Sequence, residues 1–322
     1  MQRGDNDKAA TIARRRFLEQ LAAFANAAIV GNALPSPAKG DDSPRTQWKR
    51  QIRIGLHQAG WSARKIRSFF EAARKLRYDG VELAPPWLEQ FHPLEDVCGM
   101  LDDFNLLLAP AIFVGGQELR DPTRETAYCE KASRWAKWIK NRGGRYVIYS
   151  TVAGTGPRRT ADETKQVAKA FDRVATAVTA EGCTPLYHNH YVKSSSESKR
   201  LLEKDLGLLD WNHWRLCVDT GHLVLAKTDP VEFVEQWRDK IAWMHCKDVK
   251  RHAVQVVDQP GVRWQDQFTR LGSGVVDFSK VVALLADSQY DGWLIVEQDR
   301  SPDLYRSAKE SRAYLLGVID SL

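Results

Sequence analysis

From Arg53 onward the chain alternates short apolar runs with amphipathic stretches eight times over, and nothing else in the sequence narrows the fold as far. The apolar runs are Arg53–Ala59, Gly80–Ala84, Asn105–Val114, Arg145–Thr151, Thr184–His190, Leu216–Thr220, Ile241–Asp248 and Trp293–Asp299. Between and after them lie Ala63–Leu76, Trp87–Phe104, Thr123–Asn141, Asp162–Glu181, Lys199–Leu206, Pro230–Asp239, Ser279–Ser288 and Leu304–Leu322. Phe69, Ala72, Ala73 and Leu76 show the helical period. Strand–helix alternation favours a parallel sheet with helical crossovers, and eight such units favour closure. The competing open sheet normally begins with a Gly-rich phosphate turn after its first strand. Here that strand runs into Gln58, Ala59, Gly60 and Trp61. The expectation is one α/β domain, a (β/α)8 barrel over residues 46–322.

Residues 1–45 are set apart as a leader, disordered or cleaved. Arg14, Arg15, Arg16, Phe17 and Leu18 resemble a twin-arginine export signal, followed by a weakly apolar run to Ala33 and small residues near Ala38. This reading sends the protein to the periplasm or outside; otherwise it is cytoplasmic. The formal charge of +6 sits almost wholly in this leader: residues 1–53 hold ten Lys/Arg and five Asp/Glu, the remainder 37 and 36. A near-neutral body is poor evidence for a nucleic-acid partner. No run of about 18 apolar residues predicts a membrane span. Five cysteines without CxxC spacing read as small buried thiols.

In a barrel of this kind chemistry gathers where strands finish. The first run holds His57, the second Glu82, the fifth Tyr187, His188, Asn189 and His190. The sixth holds Asp219 and leads to His222, the seventh His245, Lys247 and Asp248, and the eighth Glu297 and Asp299. Charged groups in a packed interior are costly unless paired or bound to metal. One terminal Asp is a commonplace helix cap, but four successive strands ending in His, Asp or Glu are not explained by caps. Asp219, His245 and Glu297 suit one divalent ion, Mn²⁺ before Zn²⁺, Co²⁺ or Fe²⁺ and better than Ca²⁺. A fourth ligand is expected from the fifth strand, where His188 and His190 are two apart and share a face; His190 is the candidate ligand, with either histidine open to the role. Trp61, Trp87 and Phe113 are candidate stacking faces at the mouth, and the Gly154, Gly156, Arg158 and Arg159 loop a weak phosphate cradle.

Cys217 to His222, with its Asp-Thr-Gly-His, resembles a signature of the xylose-isomerase-like TIM barrel superfamily of sugar isomerases and epimerases. So do His245 to Asp248, Gly272 to Phe278, Tyr290 to Trp293 and Val296 to Asp299. The likeness is strong over residues 184–320, weaker over 53–150, and greatest to the inosose dehydratase branch. It implies a mononuclear metal on Asp219, His245 and Glu297. Ketose epimerases of the superfamily place a Glu ligand on the fifth strand, whereas the His-rich stretch here matches the dehydratase branch. The abasic-site endonuclease branch adds an Asp-x-His after the strand-seven His, which this chain lacks. The implied chemistry removes the proton beside a carbonyl, with Lewis acidity stabilising the enediolate, and ends in isomerisation, epimerisation or dehydration. His188, His190 and Lys247 are the candidate catalytic groups; His57, Glu82, His222 and Asp248 are candidate substrate contacts, with Lys247 and Asp248 as an ion pair. The partner is a small unphosphorylated sugar or cyclitol, and the oligomeric state is open. The alternatives are a non-catalytic sugar-binding barrel and, remotely, a DNA-acting enzyme.

Overall fold

A computed structural model of the chain describes residues 43–91, 96–114, 122–150, 160–192 and 194–322. The twin-arginine segment and the 154–159 loop lie outside them. The strands are β1 (Arg53–His57), β2 (Gly80–Glu82), β3 (Leu107–Leu108), β4 (Ala111–Phe113), β5 (Tyr146–Ser150), β6 (Thr184–His188), β7 (Arg215–Asp219), β8 (Ile241–Cys246), β9 (Asp248–Val249), β10 (Phe268–Thr269) and β11 (Trp293–Val296). Nine form one parallel sheet in the order β3-β2-β1-β11-β8-β7-β6-β5-β4, and β9 pairs antiparallel with β10.

The ends of that order are two halves of one strand. The single expected run Asn105–Val114 is interrupted at Pro110, which has no N–H to give a ladder. On one side Ala109 N–H donates to Val81 O (2.9 Å); on the other, Tyr146 N–H donates to Pro110 O (3.1 Å). The sheet thus closes, with eight strand positions, as a TIM barrel.

Alternation along each strand divides two cores. Leu216, Val218, Met244, Leu294 and Val296 face outward onto the helices, in a core that includes Trp135, Phe171 and Trp214. Ile148, Leu186, Cys217, Trp243, Trp293 and Ile295 fill the interior. Trp243 and Trp293 stack there, ring centroids 6.2 Å apart, and make a packed floor. Two residues further along the same strands the inward positions become His188, Asp219, His245 and Glu297.

The helices begin where side chains satisfy their first N–H groups. Thr160 and Glu163 form a capping box for Ala161–Ala180, and Asp229 caps Pro230–Trp237. Three features were not read from sequence. A helix at Pro44–Gln51, capped by Ser43, buries Trp48. The stretch expected as Trp87–Phe104 holds two helices, Pro85–Leu88 and Asp96–Asp103. The β9–β10 pair launches an excursion over residues 250–267. Among the described residues no helix is long and apolar enough to cross a membrane.

Candidate functional site

β7 and β8 pair with Asp219 opposite His245, and β11 lies on the other side of β8 with Ile295 opposite His245. Two residues beyond Ile295, Glu297 therefore arrives beside the same imidazole. Donor atoms of Asp219, His245 and Glu297 all fall within 4.8 Å of one another. His188 joins two further groups on the same scale, with Asp219 and His222 and with Cys217 and His245. All of these side chains are buried.

The sequence around Asp219 explains itself locally. Asp219 Oδ1 accepts from His222 N–H (2.8 Å), starting the short helix Thr220–Leu225. Asn189 clamps the end of β7, donating to Asp219 O and accepting from Asp219 N–H, both at 2.9 Å. Thr220 Oγ1 donates to Lys247 O (2.7 Å) and accepts from Lys247 N–H (3.0 Å), tying β7 to the end of β8. At Gly221 a Cβ would stand 2.9 Å from both Lys247 Cγ and Phe268 Cε1. The backbone can approach that closely only without a side chain.

Two carboxylates flank His245. Glu82 Oε1 lies 3.0 Å from His245 Nε2, its Oε2 accepts from Trp243 Nε1 (2.6 Å), and His57 Nε2 is 3.5 Å away. Glu297 Oε2 is 2.8 Å from His245 Nδ1. Yet Asp219 Oδ2, His245 Nδ1 and Glu297 Oε2 are each buried without a partner in hydrogen-bond geometry. Buried polar atoms left unmatched are costly, and three from different strands converge here. Two carboxylates and an imidazole whose other nitrogen meets a carboxylate form a donor set suited to a borderline divalent ion. The residues fit such an ion.

Lys247 reaches into the same space. Its Nζ donates to Glu297 Oε1 (2.8 Å) and Asp299 Oδ2 (3.0 Å) and lies 3.3 Å from Asp219 Oδ2. Burial opposes its charge, but Asp219, Asp299 and Glu297 outweigh it and hold the ammonium form. Burial opposes the charge on Glu297 also, and Lys247, His57 and His245 overcome it, so its pKa falls well below the usual range. Burial, offset in part by Lys247, raises Asp219. His245 is raised well above an ordinary imidazole because Cys217, Glu82 and Glu297 outweigh burial. In contrast, burial lowers His57, His188, His190 and His222 and keeps those rings neutral.

Among the residues expected in the site, the structure gathers His57, His188, His190, Asp219, His222, His245, Lys247 and Glu297 at one mouth. Three of the expected residues sit differently. Asp248 is not paired with Lys247; its carboxylate accepts backbone N–H from Val249, Gly272, Gly274 and Val276, at 2.8–3.1 Å. Glu82 is fully buried beneath His245 with its oxygens already engaged. His190 belongs to none of the donor groups; β6 ends at His188, and the next imidazole turns aside to stack on His222, centroids 3.9 Å apart. Trp61 and Trp87 pack on Phe69, whereas Phe113 stands edge-on to His188. The aromatic missed from sequence is Trp264, on the 250–267 excursion, edge-on to His190 at 5.0 Å and near His222 at 5.1 Å. Lying in an irregular segment, it gave no periodic signal.

The sequence profile described as xylose isomerase-like TIM barrel matches residues 70–316. An inosose dehydratase of Geobacillus kaustophilus is 30% identical over 213 residues, covering 58% of this chain and 68% of that one. One of Lacticaseibacillus casei is 30% identical over 171 residues, 49% of this chain and 56% of its own. Across the curated relatives the match spans from about half to about two thirds of their length. Among solved structures, the 3-keto-D-glucoside 4-epimerase of E. coli superposes with a TM-score of 0.61 at 17% identity, over 82% of this chain and 98% of its own. A probable 3-DHS dehydratase from Bacillus anthracis gives 0.64 at 15%, over 82% and 98%. At these identities the structures speak for the fold. Profile, relatives and fold together place the chain in the xylose isomerase-like TIM barrel family.

Proposed function

We propose that the chain is a metal-dependent enzyme that removes the proton beside the carbonyl of an unphosphorylated keto-sugar or inosose and expels the β-hydroxyl as water. The family is one of enzymes, and the dehydratase outcome is favoured by the relatives and by the imidazole, rather than glutamate, at the end of β6. The observation that carries the reading is the convergence of Asp219, His245 and Glu297, whose ligand atoms lie within 4.8 Å of one another, with Asp219 Oδ2, His245 Nδ1 and Glu297 Oε2 all buried and outside hydrogen-bond geometry. These three residues would hold the ion, manganese in first place, with His188 as the adjacent fourth donor. When bound, such an ion supplies Lewis acidity that polarises a neighbouring carbonyl.

The chain's own groups divide the proton work. His190 Nδ1 lies 2.6 Å from Tyr191 O, which in a neutral ring puts the proton on Nδ1 and the lone pair on Nε2. Burial keeps that ring neutral, so His190 is the base for the carbon-bound proton. His222 Nδ1 accepts from Tyr191 N–H (3.1 Å), which in a neutral ring puts the proton on Nε2, 3.4 Å from Lys247 Nζ and 3.9 Å from Asp219 Oδ2. Lys247 stays protonated and delivers a proton to the departing hydroxyl: the C–H pair becomes the new double bond, the C–O pair leaves with oxygen, and water results.

The test is mass-spectrometric: incorporation of solvent deuterium beside the carbonyl of inosose and of 3-keto-glucose, with purified protein that is metal-loaded or chelator-treated. Exchange that follows the metal, with loss of 18 mass units from the substrate, is the expected result. Binding of the sugar with no exchange in any metal state would leave a sugar-binding barrel instead.

A further inference from the structure

Cys217 is a buried thiol that the proton chemistry above does not use. It belongs to the barrel interior, on the same face of β7 as Asp219 and one layer below it, because the two are two residues apart. Strand pairing brings a histidine to it from each side. β6 sets His188 opposite Cys217, and β8 sets His245 opposite Asp219, just above. Cys217 Sγ lies 3.5 Å from His188 Nδ1, and the rings of His188 and His245 stand 4.8 Å apart between centroids. One ligand atom from each of Cys217, His188 and His245 falls within 4.8 Å of the other two. None of the three residues is more than 2% exposed.

These spacings can be compared with those around an ion. Tetrahedral zinc takes thiolate sulfur at about 2.3 Å and imidazole nitrogen at about 2.0–2.1 Å, which puts the two ligand atoms about 3.5 Å apart. Cys217 and His188 already have that separation. A thiol–imidazole hydrogen bond spans the same distance, so the third donor matters. His245 completes a set of one sulfur and two nitrogens, a mixture that zinc favours. The other buried cysteines lie differently. Cys246 belongs to the outer core against the helices, and Cys183 Sγ is 3.4 Å from Ala136 O. Neither joins a donor group among the described residues.

We infer that Cys217, His188 and His245 form a second cation position, selective for a thiophilic divalent ion such as zinc, one layer below the position made by Asp219, His245 and Glu297. The inference deepens the metal-centre reading above, since His245 serves both positions and one ion occupies one or the other. Harder ions favour the carboxylate side, and thiophilic ions the sulfur side. Zinc held through Cys217 draws His245 away from Asp219 and Glu297 and so displaces manganese. As it binds, the S–H bond breaks, its electron pair goes to the ion and its proton leaves to solvent.

The experiment adds cobalt(II), a coloured stand-in for zinc, to the chelator-treated full chain. A thiolate-to-cobalt charge-transfer band in the near ultraviolet is expected, titrated away by zinc and not by manganese. Cys217→Ala is expected to abolish the band and to weaken zinc binding roughly tenfold or more, with manganese affinity held within about twofold. Cys217→Ser, which keeps the side-chain volume, guards against a loss through misfolding. No band in the wild type, or a band that persists in either variant, would overturn the inference; so would equal losses of zinc and manganese affinity in both. Manganese-supported exchange without a cobalt band removes the thiolate position alone. A Cys217-dependent band with no exchange in any metal state removes the proton-abstraction reading and leaves the position standing.

Discussion

The regions below and above His245 are built from the same chemistry to opposite ends. Below, Glu82 reaches across the barrel from β2 and has each oxygen engaged, by His245 Nε2 and by Trp243 Nε1. Above, Glu297 gives one oxygen to Lys247 and sets the other 2.8 Å from His245 Nδ1, outside hydrogen-bond geometry. Both are buried glutamates at barrel-strand ends. Their difference shows that partnering, and not residue type or depth, separates a carboxylate that supports a site from one that is the site. A fully engaged acid fixes the ring that it touches; an acid with an oxygen to spare is poised for a ligand.

The sharpest way to break this contrast is Glu297→Gln. The side chain keeps its shape but loses the charge that would hold a cation. Exchange activity is expected to fall roughly a thousandfold, corresponding to several kcal/mol of Lewis-acid stabilisation, with metal content falling alongside. Glu82→Gln should act more mildly, because it only loosens the orientation of His245. Outer-sphere partners of this kind cost about 10–100-fold in metal affinity or activity. Metal titration of the two variants, read by calorimetry, checks the order; a larger loss at Glu82 would invert the roles argued here.

Asp248 extends the series to a carboxylate with no capacity left. It gathers four N–H groups, three from the turn Gly272 to Val276, and a Cβ at Gly274 would stand 2.2 Å from Asp248 Oδ1. Asp248→Asn turns one acceptor into a donor facing N–H groups. With each unsatisfied N–H costing about 1–3 kcal/mol, a loss of about 2–4 kcal/mol in stability is expected. A lower denaturant midpoint with unchanged slope would show it. Normal stability with lost activity would instead return Asp248 to the substrate.

This series also marks what the sequence could convey. The eight units and the positions of Asp219, His245 and Glu297 were legible because both depend on chain-local pattern: an apolar run, its period, and the polar residue that ends it. The Asp-Thr-Gly-His stretch was legible for the same reason, since cap, clamp and close approach all lie within four residues. The roles of Glu82 and Asp248 were not, because they depend on donors supplied from elsewhere, 163 residues away for His245 and 24–28 for the Gly272 turn. The choice between His188 and His190 stayed open in the sequence because period-two reasoning gives both one face, while β6 ends at His188. Trp264 reaches the mouth from an irregular excursion, and the break at Pro110 becomes a closure only when both neighbouring strands are in place.

That excursion has its own acid, Asp258, the most exposed of the four and the one with the smallest expected effect. Its Oδ1 accepts from Ser195 N–H (2.7 Å), Ser195 Oγ (3.1 Å) and Tyr191 OH (2.9 Å), and Lys227 Nζ lies 3.6 Å from Oδ2. It thereby pins the 250–267 segment, and Trp264 with it, to the start of the helix Ser195–Leu206. Modest burial would raise its pKa, but these hydrogen bonds and Lys227 outweigh that and lower it. A carboxylate depressed in the folded state contributes stability that is fully present above its unfolded pKa, about 3.9. The contribution is lost as pH falls below that value and through the folded one. The stability gap between wild type and Asp258→Asn should therefore be constant from pH 7 to about pH 5 and shrink below pH 4. Chemical denaturation across that range measures it. A gap independent of pH would mean that shape, rather than charge, holds the excursion over the mouth.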